Sequence, residues 1–154
     1  IQPSIEPIQV RTLLQDAAVA TRSHAEGRAI RVEAADEVWI RGDFSLLLQA
    51  LINLIENAVR YSTPGGGIAL RGAQTAGRVT IDVADEGPGI PENELPHVFE
   101  RFYRGGTGKR VQGTGLGLAI VRAMVELCGG TVNVESSTAG TTFRMLFPPA
   151  RPPQ

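Results

Sequence analysis

Apolar residues recur at helical spacing from Leu46 to Tyr61. At about 100° per residue, Leu47, Leu48, Leu51, Ile52, Leu54, Ile55, Ala58 and Val59 share one broad arc, and Gln49, Asn53, Glu56, Asn57 and Arg60 form a narrow polar strip. The pattern predicts a core helix with one wet edge. Gly42-Asp43 supplies its break and N-cap, and Ser62-Thr-Pro-Gly-Gly-Gly67 stops it. Upstream, a strand at Pro7–Val10 leads into an amphipathic helix over roughly Val10–Ala25, with Val10, Leu13, Leu14, Ala17, Ala18 and Thr21 on one side and Gly27 as its end. Ala29–Ala34 and Glu37–Arg41 alternate apolar with polar residues, predicting two half-buried strands joined by a turn at Ala35-Asp36.

Downstream, Ile68–Ala73 and Arg78–Ala84 read as strands around a hairpin turn at Thr75-Ala-Gly77. Pro91 suits the first position of a short helical turn. Gly115–Leu127 predicts a second apolar helix closed by Gly129-Gly130, and Thr131–Glu135 and Thr141–Phe147 finish as strands across Ala139-Gly140. Helices and strands are grouped rather than strictly alternating. The fold class expected is therefore α+β, helices packed on one face of a mostly antiparallel sheet.

A chain of 154 residues, 42% hydrophobic and 20% charged, suits one compact domain, expected over residues 1–148 with a Pro-rich tail at 149–154. A net charge of -1 gives no global attraction to nucleic acid or to an anionic membrane, so any anion site must come from local placement. The single Cys128 excludes an internal disulfide and lies in an apolar run, as a small core residue does. No stretch of about 18 apolar residues is present.

Four places carry candidate chemistry. Asn is a mediocre helix former, so Asn53 and Asn57, one turn apart in so apolar a helix, need an explanation. They are either a solvated stripe or two amide oxygens stacked as ligands for a hard cation such as Mg²⁺. Asp85 follows Val79, Ile81 and Val83 at a period of two, which turns its carboxylate inward; Gly87-Pro-Gly89 beside it offers backbone that a flat ligand can approach. A turn-capping Asp is the alternative. Gly113, Gly115 and Gly117 before a helix N-terminus make an anion site. Leu118 stands where a dinucleotide fingerprint needs its third Gly, and no P-loop pattern occurs. Arg101, Arg104, Lys109 and Arg110, spaced by Gly105, Gly106 and Gly108, form a phosphate-covering lid or a solvated basic loop, with Phe99 and Phe102 at its root.

In this order and spacing, the pieces resemble the catalytic, ATP-binding domain of sensor histidine kinases, in the GHKL superfamily with gyrase B and related chaperone and mismatch-repair ATPases. Asn53-Leu-Ile-Glu-Asn57-Ala-Val-Arg-Tyr61 is similar to the family's N box, Asp85-Glu-Gly-Pro-Gly89 to its G1 box, Val98-Phe-Glu-Arg-Phe102-Tyr-Arg to its F box and Gly113-Thr-Gly-Leu-Gly117 to its G2 box. The resemblance implies a two-layer α/β sandwich, the Bergerat ATP-binding fold, with three helices on one face of a mixed, mostly antiparallel sheet.

It also implies roles. ATP and Mg²⁺ are the cofactors, with Asn57 and Asn53 holding the metal and Arg60 meeting a phosphate, Asn57 and Arg60 being the catalytic pair. Tyr61 lies against adenine, Asp85 accepts from its amino group, and Thr141 assists through water. Gly113, Gly115 and Gly117 admit the phosphates, with Arg104 and Lys109 reaching in from the lid. The implied nucleotide set also takes in Gly87, Gly89, Ile90, Phe102, Thr114, Leu116 and Leu118. In the hydrolase branch a Glu at the place of Asn53 activates water; an Asn cannot act as that base, which favours phosphoryl transfer.

No His-Glu-x-x-[Thr/Asn]-Pro motif is present, and His24 and His97 read as surface residues. The expectation is a monomeric, cytoplasmic kinase core of an inner-membrane sensor, unable to phosphorylate itself. Its partners would be a His-bearing dimerisation domain of the same parent and a response regulator. A serine kinase of the anti-sigma type and a nucleotide-sensing module without transfer activity are the alternatives.

Overall fold

The computed structural model of the chain describes residues 2–100 and 117–154. In chain order the elements are β1 (Glu6–Gln9), α1 (Val10–Thr21), β2 (Ile30–Ala34), β3 (Trp39–Gly42), α2 (Phe44–Tyr61), β4 (Ile68–Thr75), β5 (Arg78–Asp85), α3 (Gly117–Leu127), β6 (Thr131–Ser137) and β7 (Gly140–Phe147). Short 3₁₀ turns occupy Arg22–His24 and Leu95–His97. Five strands form one sheet in the order β2-β4-β5-β7-β6, parallel only between β2 and β4. β1 and β3 pair antiparallel in a separate two-stranded ribbon. This is the α+β sandwich expected.

The core lies between the sheet and the helices. Leu47, Ala50, Leu51, Leu54, Ile55, Ala58 and Val59 of α2 are buried against inner-face residues such as Ile68, Leu70, Ile81, Val83, Phe143 and Met145. Because α2 packs against α1 and α3 as well as against the sheet, its buried arc takes in Ala50, while Leu48 and Ile52 are only half-buried. Asp43 caps it, its Oδ1 accepting from Leu46 N–H at 3.1 Å. The outer face of the sheet is polar. Glu33, Arg71, Asp82 and Arg144 face one another across β2, β4, β5 and β7 with alternating sign. Arg144 forks onto Asp82 through two bonds of 2.8 and 2.9 Å. A ladder of paired charges keeps this face wet without leaving any one charge alone.

Several boundaries differ from the sequence pattern. The first helix ends at Thr21 rather than Ala25, tightening into the 3₁₀ turn at Arg22–His24 before Gly27 at φ 80°. β2 and β3 are not partners: alternation cannot say which edge a strand joins, and β2 is recruited by β4 and β3 by β1. Pro91 opens the single helical turn expected of it, its carbonyl accepting from Glu94 and Leu95, and a 3₁₀ turn continues at Leu95–His97. β6 and β7 run further toward each other than expected, with Thr138 and Ala139 at the tip.

The β4–β5 hairpin turns on Ala76 and Gly77, both at positive φ (51° and 77°), as a two-residue type I′ turn requires. Ala carries a steric cost there that Asn tolerates. Ala76→Asn is therefore expected to stabilise the domain by about 0.5–1 kcal/mol, read as a higher urea midpoint at unchanged slope.

Candidate nucleotide site

α2 presents its polar strip along one half-exposed edge. Asn53 Oδ1 accepts from Gln49 Nε2 at 3.0 Å and keeps a second lone pair. Asn57, one turn on, is half-buried and makes no side-chain hydrogen bond to another described residue. Arg60 is exposed beside Tyr61, its guanidinium carbon 6.0 Å from the ring centroid. The strip thus offers two amide oxygens and a cation on one side of the helix C-terminal half.

The chain then turns sharply onto the loop after β5. Thr63 N–H donates to the Glu86 carbonyl at 2.8 Å, and a side chain on Gly87 would begin 2.8 Å from the Tyr61 carbonyl oxygen and 3.1 Å from Asp85 Oδ1. Only glycine permits this approach, so the end of α2 and the Asp85 loop share one wall. Asp85 is the last residue of β5, directly opposite Thr141 on β7, whose backbone N–H donates to its carboxylate. Burial raises the Asp85 carboxyl to a pKa of about 6, the Thr141 bond opposing this only in part. Since the shift is upward, the folded state holds more proton between about pH 4 and 6. The stability this group contributes is greatest at acid pH and is lost as the pH rises through about 6.

The tip between β6 and β7 closes the same region. A side chain on Gly140 would overlap the Asp85 carbonyl oxygen, and one on Gly89, at φ 84°, would overlap the Ser137 carbonyl oxygen. Ile90 and Leu118 pack against the core edge, as does Phe99, which meets Phe143 edge-on at 5.9 Å and carries Arg122 over its ring at 5.8 Å. Among the described residues, Asn53, Asn57, Arg60, Tyr61, Asp85, Gly87, Gly89, Ile90 and Thr141 are set on α2 and the elements joined to its end. Gly117 and Leu118 open α3. Phe102, Arg104, Lys109, Gly113, Thr114, Gly115 and Leu116, with the whole basic segment, lie outside the described residues.

Comparison with known proteins shows the family of the chain. Residues 42–151 match the family model described as histidine kinase-, DNA gyrase B-, and HSP90-like ATPase. The chain belongs to this family. Among its relatives, the sensor protein DivL of Caulobacter vibrioides is 40% identical over 97% of the chain, and the histidine-protein kinase/phosphatase MprB of a Mycobacterium species 42% identical over 71%. The solved structure of a mycobacterial sensor histidine kinase MprB superposes with a TM-score of 0.84 at 30% identity, covering 97% of this chain and all of that one. Full-length ShkA in complex with AMPPNP gives the same score at 32% identity, this chain covering a third (33%) of it. The chain spans about a fifth of the length of the curated relatives DivL and MprB (19% and 22%) and corresponds to their ATP-binding catalytic domain.

Two contributors to the site carry no sequence signal in the family motifs. Arg28 is buried, its Nε donating to Ser62 Oγ at 2.7 Å and an Nη to the Ser62 carbonyl at 3.3 Å. It sets a positive charge on the negative end of α2 and fixes where the chain leaves that helix. Gly140 reads from sequence as a turn residue; its second task, lying flat on the Asp85 backbone, depends on a strand 55 positions away.

Two measurements check this geometry. Gly140→Ala, pressed against the Asp85 carbonyl, is expected to destabilise the domain by about 2 kcal/mol, read as a lower melting temperature. Adenosine, which brings no titrating phosphate, is expected to bind about tenfold more weakly at pH 5 than at pH 7.5 as Asp85 takes up its proton, with a flat profile in Asp85→Asn.

Proposed function

We propose that this domain binds ATP with Mg²⁺ and holds the γ-phosphoryl for transfer to a histidine on a separate dimerisation domain, from which a response regulator is phosphorylated. The observation that carries the reading is the joint between the C-terminus of α2 and the loop after Asp85, made at Gly87. It sets the end of α2, which carries the polar strip, against the loop after the half-buried Asp85, an acceptor that would suit an amino-bearing base.

The donor set fits the metal. Mg²⁺ takes oxygen ligands and commonly needs only one or two from the protein when phosphates and water supply the others. Asn57 and Asn53 would hold it, and it would neutralise phosphate charge. Arg60 would meet a phosphate oxygen and Tyr61 the face of the base. Asp85 would accept from the exocyclic amine, with Gly87, Gly89 and Ile90 as the backbone beneath, and Thr141 beside it. Gly113, Gly115 and Gly117 would admit phosphates at the start of α3, with Arg104 and Lys109 over them. Asn53 carries no basic lone pair able to take a proton from water, so the site suits transfer rather than hydrolysis. A cytoplasmic position, where ATP is available, belongs to the same proposal.

Calorimetric titration of ATP with and without Mg²⁺ tests the metal assignment. Asn57→Ala is expected to lose at least about tenfold of the Mg²⁺-dependent affinity and to keep most of the metal-free binding. An unchanged Mg²⁺ dependence would reject Asn57 as ligand. Joining the chain to a histidine-bearing hairpin is expected to yield acid-labile phosphate; acid-stable phosphoserine on a protein substrate instead would indicate the serine-kinase branch.

A further inference from the structure

We propose that Ser136 is a positioning residue that fixes the base end of the nucleotide site, and with it the preference for adenine over guanine. The inference rests on the nucleotide reading above and names a side chain outside the four motifs.

Ser136 is half-buried on β6, one residue before the strand ends. Its Oγ accepts from Ile90 N–H at 2.6 Å, a contact between positions 46 apart that ties the end of the Gly87–Ile90 loop to the sheet edge. The same hydroxyl lies 3.0 Å from Thr141 Oγ1 and 3.5 Å from the Gly140 carbonyl. Either hydroxyl can donate across the Ser136–Thr141 contact, and in both arrangements Ser136 Oγ still accepts from the Ile90 amide. The Ser136 hydroxyl therefore joins the end of the Gly87–Ile90 loop to Thr141, the residue whose backbone N–H already holds the Asp85 carboxylate.

A second observation shows how tightly this end is built. Gly89 and Gly140 each lie in backbone contact with the opposite segment, Gly89 on Ser137 and Gly140 on Asp85, where no Cβ fits. Ile90 packs its side chain on the core edge, but such packing sets no direction for the loop backbone, and Pro88 within it donates no hydrogen bond. The Ser136 hydroxyl supplies the directional bond. Guanine presents a carbonyl where adenine presents an amine, so a loop that drifts relative to Asp85 gives up discrimination as well as affinity.

The test is nucleotide titration of the chain and its Ser136→Ala and Ser136→Thr variants, below the melting temperature of each. Ser136→Ala is expected to weaken ATP, ADP and AMP by the same factor, roughly tenfold, and to shrink the ratio of ATP to GTP affinity. Ser136→Thr, which keeps the hydroxyl on a strand-favouring residue, is expected to restore both. A merely structural role lowers the melting temperature and leaves the ATP-to-GTP ratio where it was. Equal affinities in Ser136→Ala and the unaltered chain, a loss confined to ATP, or an unmoved ratio would overturn the proposal. Failure of the unaltered chain to bind any adenine nucleotide would instead overturn the nucleotide reading on which it rests.

Discussion

The burial of α2 is the constraint on which the rest depends. Its apolar arc is enclosed by the sheet, α1 and α3, and seven of its side chains are removed from water, so the helix has one azimuth available. Turning it would expose leucines and bury amides with no partner, each costing on the order of 1–3 kcal/mol. Asn53 and Asn57 are held at the half-exposed edge by this exclusion, with Gln49 donating to Asn53 as a side-chain tie along the strip. Both ends are then fastened: Asp43 accepts from Leu46 and from Ser4 at the N-terminus, and Arg28 grips Ser62 at the C-terminus. A helix fastened at both ends keeps its polar edge in one place, so a ligand meeting that edge need not order it.

At the other side of the site, the sheet does the placing. β5 and β7 run in register so that Asp85 meets Thr141, and the tip of the β6–β7 hairpin reaches back over the loop that follows. The carboxylate is thereby half-buried at a strand end, where the Thr141 backbone donor offsets only part of the desolvation that raises its pKa. A carboxylate so placed costs stability in its ionised form, which is the cost that the raised pKa expresses. The outer face of the sheet follows the opposite rule. There Asp82 is more deeply buried than Asp85 but forked by Arg144, whose guanidinium satisfies both carboxylate oxygens.

Periodicity and glycine placement made much of this legible in the residues. The arc of α2, the inward alternation from Val79 to Asp85, the hairpin at Ala76-Gly77 and the Asp43 cap are local patterns, each enforced within a few residues of itself. What escaped were partnerships. Alternation in 29–34 and 37–41 marked two strands but not their separation into different sheets, because hydrogen-bonding edges carry no side-chain signature. The Arg28–Ser62 bond spans 34 positions and the Ser136–Ile90 bond 46, and neither residue type is unusual where it stands.

The sequence by itself determined the family, the α+β class and the identity of the polar edge, since amphipathic spacing and the order of Asn, Asp and Gly motifs are properties of the chain alone. Only the tertiary structure decided how these motifs meet. Gly87 against Tyr61, Gly140 against Asp85, Gly89 against Ser137 and the Ser136 hydroxyl on the Ile90 amide are all contacts between segments far apart in the chain. They exist because close packing of α2 on one sheet leaves the backbones no other distance at which to pass.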